Sequence, residues 1–271
     1  MDVKPCGPVR KTEQPRSVES MAADLLSAAA GRAARAPLTA DHPELDIDLA
    51  YLVQDEALSQ RIERGETVVG VKLGLTSSAK QRQMGVSAPL TAWLTDAMTL
   101  PPGAPLPHDR LIHPRIEPEI TFVLGRRLAG PGVTAATALA AVDRVYAGLE
   151  IIDSRYVDFR FTLPDVIADN ASAAYFSTGP IGIDPTTLNL ALEGCLLDLN
   201  GETAASGLGA AVQGHPAQAL ALAANSLGRR GHALEAGWIV MTGALTDAVA
   251  VPPGTTVTAQ FTHLGSLGLH C

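Results

Sequence analysis

The sequence predicts an α+β protein: a small helical N-terminal part followed by a β-rich domain with short inserted helices. Two observations carry that prediction. Capping residues and a 3.6-residue apolar period are confined to the start of the chain. Beyond it, apolar runs of strand length are separated by turn signals, PPG at 101–103, NG at 200–201 and PPG at 252–254. No internal repeat or low-complexity stretch suggests another architecture.

Residues 1–16 are polar with three prolines and are expected to form a loose, disordered tail. Ser17 and Ser20 are plausible caps for a helix running through about Arg35. A second helix, from about Asp48 to Arg64, places Leu49, Leu52, Val53, Ala57 and Leu58 on one stripe, and Gly65 stops it. The expected division is a helical part over 17–66 and a β-rich catalytic domain over 67–271. Strands are read in TVVGVKLGL, PRIEPEITFVLG, RVYAGLEIID, LALEGCLLDLN, WIVMTGA and TVTAQF. Short helices are expected at 134–143 and 216–228, where Pro216 suits a first turn.

The bulk numbers exclude several classes of function. The 271 residues are 46% hydrophobic and carry a net charge of −8 with no run of like charge. That argues against nucleic acid or an anionic membrane surface as partner. No apolar run is long enough to span a membrane, and the first residues lack the apolar core of a signal peptide. Cys6, Cys195 and Cys271 are odd in number and widely spaced, so neither a disulfide framework nor a thiolate zinc site is expected, and a cytoplasmic protein fits best.

The chemistry is concentrated in the glutamates. In an extended chain residues i and i+2 share a face, so Glu117, Glu119 and Thr121 lie on one side of their strand. The same counting puts Glu150 with Tyr146 and Gly148. If the two strands are neighbours, three carboxylates converge and need a cation; oxygen-only ligands select Mg²⁺ or Mn²⁺. A solvated strand face with ordinary surface glutamates would show the same pattern. Lys72 sits in an apolar, glycine-flanked strand, where an active-site cation or proton donor and a lysine snorkelling from an edge strand both fit. Asp169, Asn170 and Ser172 lie between apolar runs, as residues of a pocket or of a turn would. His108, His113 and His215 lack metal-ligand spacing and are read as loop residues.

The motifs GVKLGLTS, LTDAM, IHPRIEPEITFVLG, LEIIDSRYVDF, LPDVIADNASAAYFSTG, LNGE, GHPAQAL and MTGALTDAVAV follow one another from about residue 20 to the C-terminus. In that order they resemble the 2-keto-4-pentenoate hydratase / 4-oxalocrotonate decarboxylase family of the fumarylacetoacetate-hydrolase-like fold. The resemblance implies a mixed β-roll, a divalent metal, usually Mg²⁺, and a small 2-oxo or 2-hydroxy dienoic acid from aromatic meta-cleavage. It implies Glu117, Glu119 and Glu150 as metal ligands and Lys72 in the pocket. Leu73, Asp169, Asn170, Ser172 and Thr242 are implied as substrate-binding residues; Asp96 in LTDAM is the candidate for the base that a hydration would need. Homo-oligomers, and a complex with the partner hydratase of the pathway, are expected with it.

The wording of IHPRIEPE and EIIDSRYVDFRF is closer to the decarboxylase branch. The expected reaction is decarboxylation of 2-oxohex-3-enedioate; hydration of 2-hydroxypenta-2,4-dienoate is the alternative, and a C–C bond hydrolase is third. Arg155 and Arg160 are candidates for attracting a dicarboxylate, in a segment, 154–170, expected to act as a lid. Trp93 and Trp238 depart from the family pattern, and Trp93 is expected at the mouth of the pocket.

Overall fold

The computed structural model describes residues 17–77, 81–82 and 84–271. The tail expected at 1–16 lies outside the described residues. The first helix, α1 (Val18–Gly31), begins where the Ser17 side chain accepts the Ser20 amide at 3.3 Å. It ends earlier than expected because Arg32 adopts the left-handed region. A single turn, α2 (Leu38–Asp41), follows, and then α3 (Ile47–Glu63), capped by Asp46 and closed before Gly65, whose φ is +97°.

The buried side of α3 is Ala50, Val53, Gln54 and Ala57, whereas Leu52 is 56% exposed. The leucine stripe read from the sequence is therefore turned. Gln54 explains the turn: its amide donates to the carbonyls of Thr91 and Ile167 at 3.2 and 2.9 Å, so a satisfied polar residue occupies the inner face.

The strands are β1 (Val68–Gly74), β2 (Leu90–Thr95), β3 (Arg115–Leu124), β4 (Val142–Ile152) and β5 (Ala173–Thr178). After them come β6 (Gly194–Leu199), β7 (Glu202–Leu208), β8 (Ile239–Ala244), β9 (Val249–Ala250), β10 (Thr256–Phe261) and β11 (Ser266–His270). The inserted helices include α4 (Ala135–Leu139), α5 (Leu163–Ala168) and α6 (Pro216–Arg229). One sheet has the order β2-β1-β8-β3-β4-β5, with β9 on β3; the other is β11-β10-β6-β7. Among the strands described, β1 and β8 pair in parallel and the other pairs are antiparallel. Ile120, Phe122 and Leu149 of the first sheet share one core with Leu197, Val257 and Leu267 of the second and Leu220 of α6. A separate core joins α1–α3 to α5 and Tyr156.

That second core changes the reading of residues 154–170. Tyr156 is fully buried and donates its hydroxyl to the Asp165 carbonyl at 3.1 Å. The Asp165 carboxylate accepts from Thr39 and Thr162. Arg155, expected to attract substrate, is buried, ion-paired to Asp169 and bonded to the carbonyls of Asp153 and Ala173. It is a tether between strand and loop, and Arg160 is exposed. The inner half of the segment is packed structure.

Trp93 also departs from expectation. It pairs with Val71 on β1 and packs in the main core, on the face of β1 opposite Lys72. Its indole donates to Asp55 of α3 at 2.8 Å and meets Trp238 edge-on, with centroids 6.3 Å apart. The two departures from the family pattern touch each other and lie away from the glutamates.

Candidate metal centre

Strands β3 and β4 are antiparallel and in register from Arg115 to Val123, so Glu117 stands directly opposite Glu150 and Glu119 opposite Gly148. The alternation read from the sequence thus brings all three carboxylates to one face. One oxygen from each lies within 4.8 Å of the others. Glu119 and Glu150 are 0% and 1% exposed.

Two glycines make the room. A Cβ on Gly148 would stand 2.1 Å from Thr121 Oγ1, and one on Gly243 would stand 2.1 Å from Thr76 Oγ1. Gly243, at φ +118°, donates its amide to Glu119 Oε2 at 2.9 Å.

Lys72 reaches the cluster from β1. Its ammonium forms an ion pair with Glu150 Oε1 at 2.7 Å and donates to the Ala171 carbonyl at 2.8 Å. Burial works to lower the Lys72 pKa, but Glu150, Glu117 and Glu119 outweigh it and hold the ammonium above its ordinary value. For Glu119, burial and then the charges of Glu150 and Glu117 push the carboxyl well above the usual carboxylate range.

The donor set fits a hard divalent cation. Glu119 Oε1, Glu150 Oε2 and Thr121 Oγ1 are buried without a hydrogen-bond partner among the described residues. Among the described residues the three carboxylates outnumber the one ammonium, an excess of negative charge that a divalent Mg²⁺ or Mn²⁺ would offset. The ligands are all oxygen, as those ions prefer.

The remaining predicted residues divide. Asn170, Ala171 and Ser172 are three successive non-glycine residues at φ of 50°, 47° and 59°. This strained turn aims the Ala171 carbonyl at Lys72. Asn170 holds the turn by bonding both the amide and the carbonyl of Trp93, at 2.8 and 2.9 Å. Asp169 accepts from Arg155 and Ser172, so the two predicted residues Asp169 and Ser172 bond each other within the loop. Thr242 donates to the Ile120 carbonyl at 2.7 Å, and Leu73 packs in the main core on the face away from Lys72.

Asp96 does not join the cluster. It is exposed, accepts the amides of Thr67 and Ala97 at 2.9 Å, and lies just past the end of β2, four residues beyond Ala92, the partner of Lys72. A carboxylate that caps a turn and one that abstracts a proton look alike in sequence. The Ala171 carbonyl had no sequence signal beyond the loop's polarity, because it is a backbone group.

The chain matches no family model. It is 43% identical over 230 residues to a 4-oxalocrotonate decarboxylase of Pseudomonas putida, covering 85% of this chain and 87% of that one. It is 38% identical over 253 residues to a 2-keto-4-pentenoate hydratase of Paraburkholderia xenovorans, covering 93% and 94%. Among solved structures, the 4-oxalocrotonate decarboxylase of Pseudomonas putida G7, complexed with magnesium and adipate, superposes with a TM-score of 0.91 at 40% identity. That match covers 93% of this chain and 96% of the other. A fumarylacetoacetate hydrolase of Exiguobacterium antarcticum shares the fold alone, at a TM-score of 0.59 and 15% identity over 76% of this chain and 75% of that one. By strand register, the buried acidic cluster and these similarities, the chain belongs to the family of 4-oxalocrotonate decarboxylases and 2-keto-4-pentenoate hydratases, on the fumarylacetoacetate-hydrolase-like fold.

Proposed function

We propose that this chain decarboxylates 2-oxohex-3-enedioate (4-oxalocrotonate) to 2-hydroxypenta-2,4-dienoate. The observation that carries the reading is the convergence of Glu117, Glu119 and Glu150 with a buried lysine on one sheet face. The three glutamates would hold a divalent cation, Mg²⁺ or Mn²⁺. Such a cation, when bound, supplies Lewis-acid polarisation of the 2-oxo group.

The residues of the chain do the rest. In the reaction the C5–C6 bond breaks, CO₂ leaves, and the bonding pair passes through the alkene to the C2 oxygen. Negative charge therefore grows at C2, next to the cluster. Lys72 Nζ holds a proton there, kept in place by Ala171 and Glu150, and stabilises that charge. One protonation of the C2 oxygen completes the enol product. The strained turn at 170–172 keeps the ammonium oriented before substrate arrives.

The choice of decarboxylation over hydration rests on the higher identity to the decarboxylase and on that neighbour's complex with a six-carbon dicarboxylate. Hydration of 2-hydroxypenta-2,4-dienoate is the second reading, favoured by the identity to the hydratase. The deciding experiment assays CO₂ release from 2-oxohex-3-enedioate beside diene consumption, at matched substrate and Mg²⁺. Rapid diene loss with no CO₂ makes this chain a hydratase. Copies of the chain are also proposed to associate, since Leu192, Leu196 and Leu208 leave apolar surface exposed around the second sheet.

A further inference from the structure

We propose that the cavity at the start of β3 is the subsite for the far carboxylate of a dicarboxylic 2-oxo acid, with Arg115 as its anion-binding group. The proposal rests on the decarboxylase reading above and names how a dianion is told from a monocarboxylate. The cavity measures about 550 Å³, and its wall includes His108, His113, Arg115 and Phe159. None of the three glutamates lines it, but β3 connects the two places. Alternation puts Arg115, Glu117 and Glu119 on one face of that strand. Two strand residues span about 7 Å. That is the reach of a six-carbon chain whose 2-oxo acid end addresses the glutamates.

Arg115 is prepared for an anion. Its guanidinium lies over the Phe159 ring at 4.2 Å from the centroid. Stacking occupies the flat face and leaves the N–H edges for a carboxylate. Among the described residues no hydrogen bond or ion pair engages those edges. The acid in the wall, Asp158, forms no ion pair with it.

Phe159 is placed for this contact at a cost, since Asp158 and Phe159 both have φ of 56° without being glycine. His113 meets the same ring, with centroids 4.8 Å apart, and its Nε2 donates to the Ser154 carbonyl at 2.8 Å. That bond fixes the ring beside Arg115. His108 adds a buried Nε2 with no hydrogen-bond partner among the described residues, a further polar atom from a residue of the cavity wall. The dicarboxylate-attracting role expected of Arg155 thus passes to Arg115, because Arg155 is already paired.

The test compares 2-oxoadipate with 2-oxohexanoate, which share a head and a chain length and differ only in the far carboxylate. Both are titrated by calorimetry into the Mg²⁺-loaded protein, wild type, Arg115→Met and Arg115→Lys. The wild type should bind 2-oxoadipate more tightly. Arg115→Met should weaken 2-oxoadipate about tenfold or more, since hydrogen bonds to a charged group are lost, and leave 2-oxohexanoate unchanged. Retained 2-oxohexanoate binding shows that fold and head site are intact. Should Arg115→Met fail to fold, Arg115→Lys carries the test, with a smaller selective loss because the charge stays and the planar fork goes. Equal loss of both acids in a folded variant, no loss in either, or no preference in the wild type overturns the subsite alone. A wild type that binds neither acid overturns the decarboxylase reading and the subsite with it.

Discussion

Replacing Glu119 by glutamine separates a metal centre from a merely buried acid, because the two roles move stability and affinity in opposite directions. Glutamine keeps an oxygen for the Gly243 amide, so the backbone contact at 2.9 Å survives. What it removes is charge. Two carboxylates with oxygens within 4.8 Å of each other repel by at least about 3 kcal/mol at an effective dielectric constant of about 20. Part of that repulsion is relieved in the metal-free wild type, since burial and the neighbouring charges push the Glu119 carboxyl well above the usual carboxylate range.

The sign follows from the proton count. The folded, metal-free protein holds a proton on Glu119 that the unfolded chain has released once pH exceeds the ordinary value of 4.5. Stability of the metal-free wild type therefore falls as pH rises above that value, until the raised folded-state pKa is passed. Glu119→Gln should flatten this slope, leaving the share of Asp169, whose carboxyl burial also raises, and melt a few degrees higher near neutral pH, at about 2–4 °C per kcal/mol for a chain of this size. Below the ordinary carboxylate range the two proteins should melt together. In the same protein Mg²⁺ binding should weaken at least about a hundredfold, beyond the roughly 10–100-fold typical of a residue outside the ligand set. Calorimetric titration with Mg²⁺ and thermal melts across pH in chelator measure both. Unchanged Mg²⁺ affinity would refute the centre, and a lower metal-free melting temperature would refute the electrostatic account.

Two further outcomes test the neighbouring groups. Lys72→Met should lower kcat about a hundredfold or more while Mg²⁺ affinity is kept or improved, because a charge that stabilises the developing anion is lost and a competing cation is gone; steady-state kinetics and calorimetry together read this. Asp96→Ala should leave kcat within about twofold and cost about 1 kcal/mol of stability, the usual loss of a capping group, seen as a small fall in melting temperature.

How much of this was legible depended on whether the signal was local. The glutamate face was legible because strand alternation is a property of neighbouring residues, and only the pairing of β3 with β4 had to be supplied. Lys72 was legible because an ammonium inside an apolar run must find a partner. The inner face of α3 was misread because Gln54 bonds carbonyls 37 and 113 residues away, which no period within the helix records. Arg155 was misread for a similar reason: its burial depends on Asp169 closing over it from the following loop. The strand LTAWLT was not read as one, although threonine and tryptophan favour strands, because Trp93 was assigned to the pocket mouth and the pairing with β1 is a non-local contact.

The contact between Trp93 and Trp238 gives the protein a built-in optical gauge. These are the chain's two tryptophans, and they adjoin each other where α3 docks on the first sheet through Asp55. Intrinsic fluorescence therefore originates at a single seam rather than averaging over the molecule. Undocking of the helices would expose both indoles to water and red-shift the emission while the strands still absorb in far-ultraviolet dichroism. Coincident transitions by the two signals would mean that helices and sheets come apart as one cooperative unit; an earlier fluorescence change would show the helices leaving first.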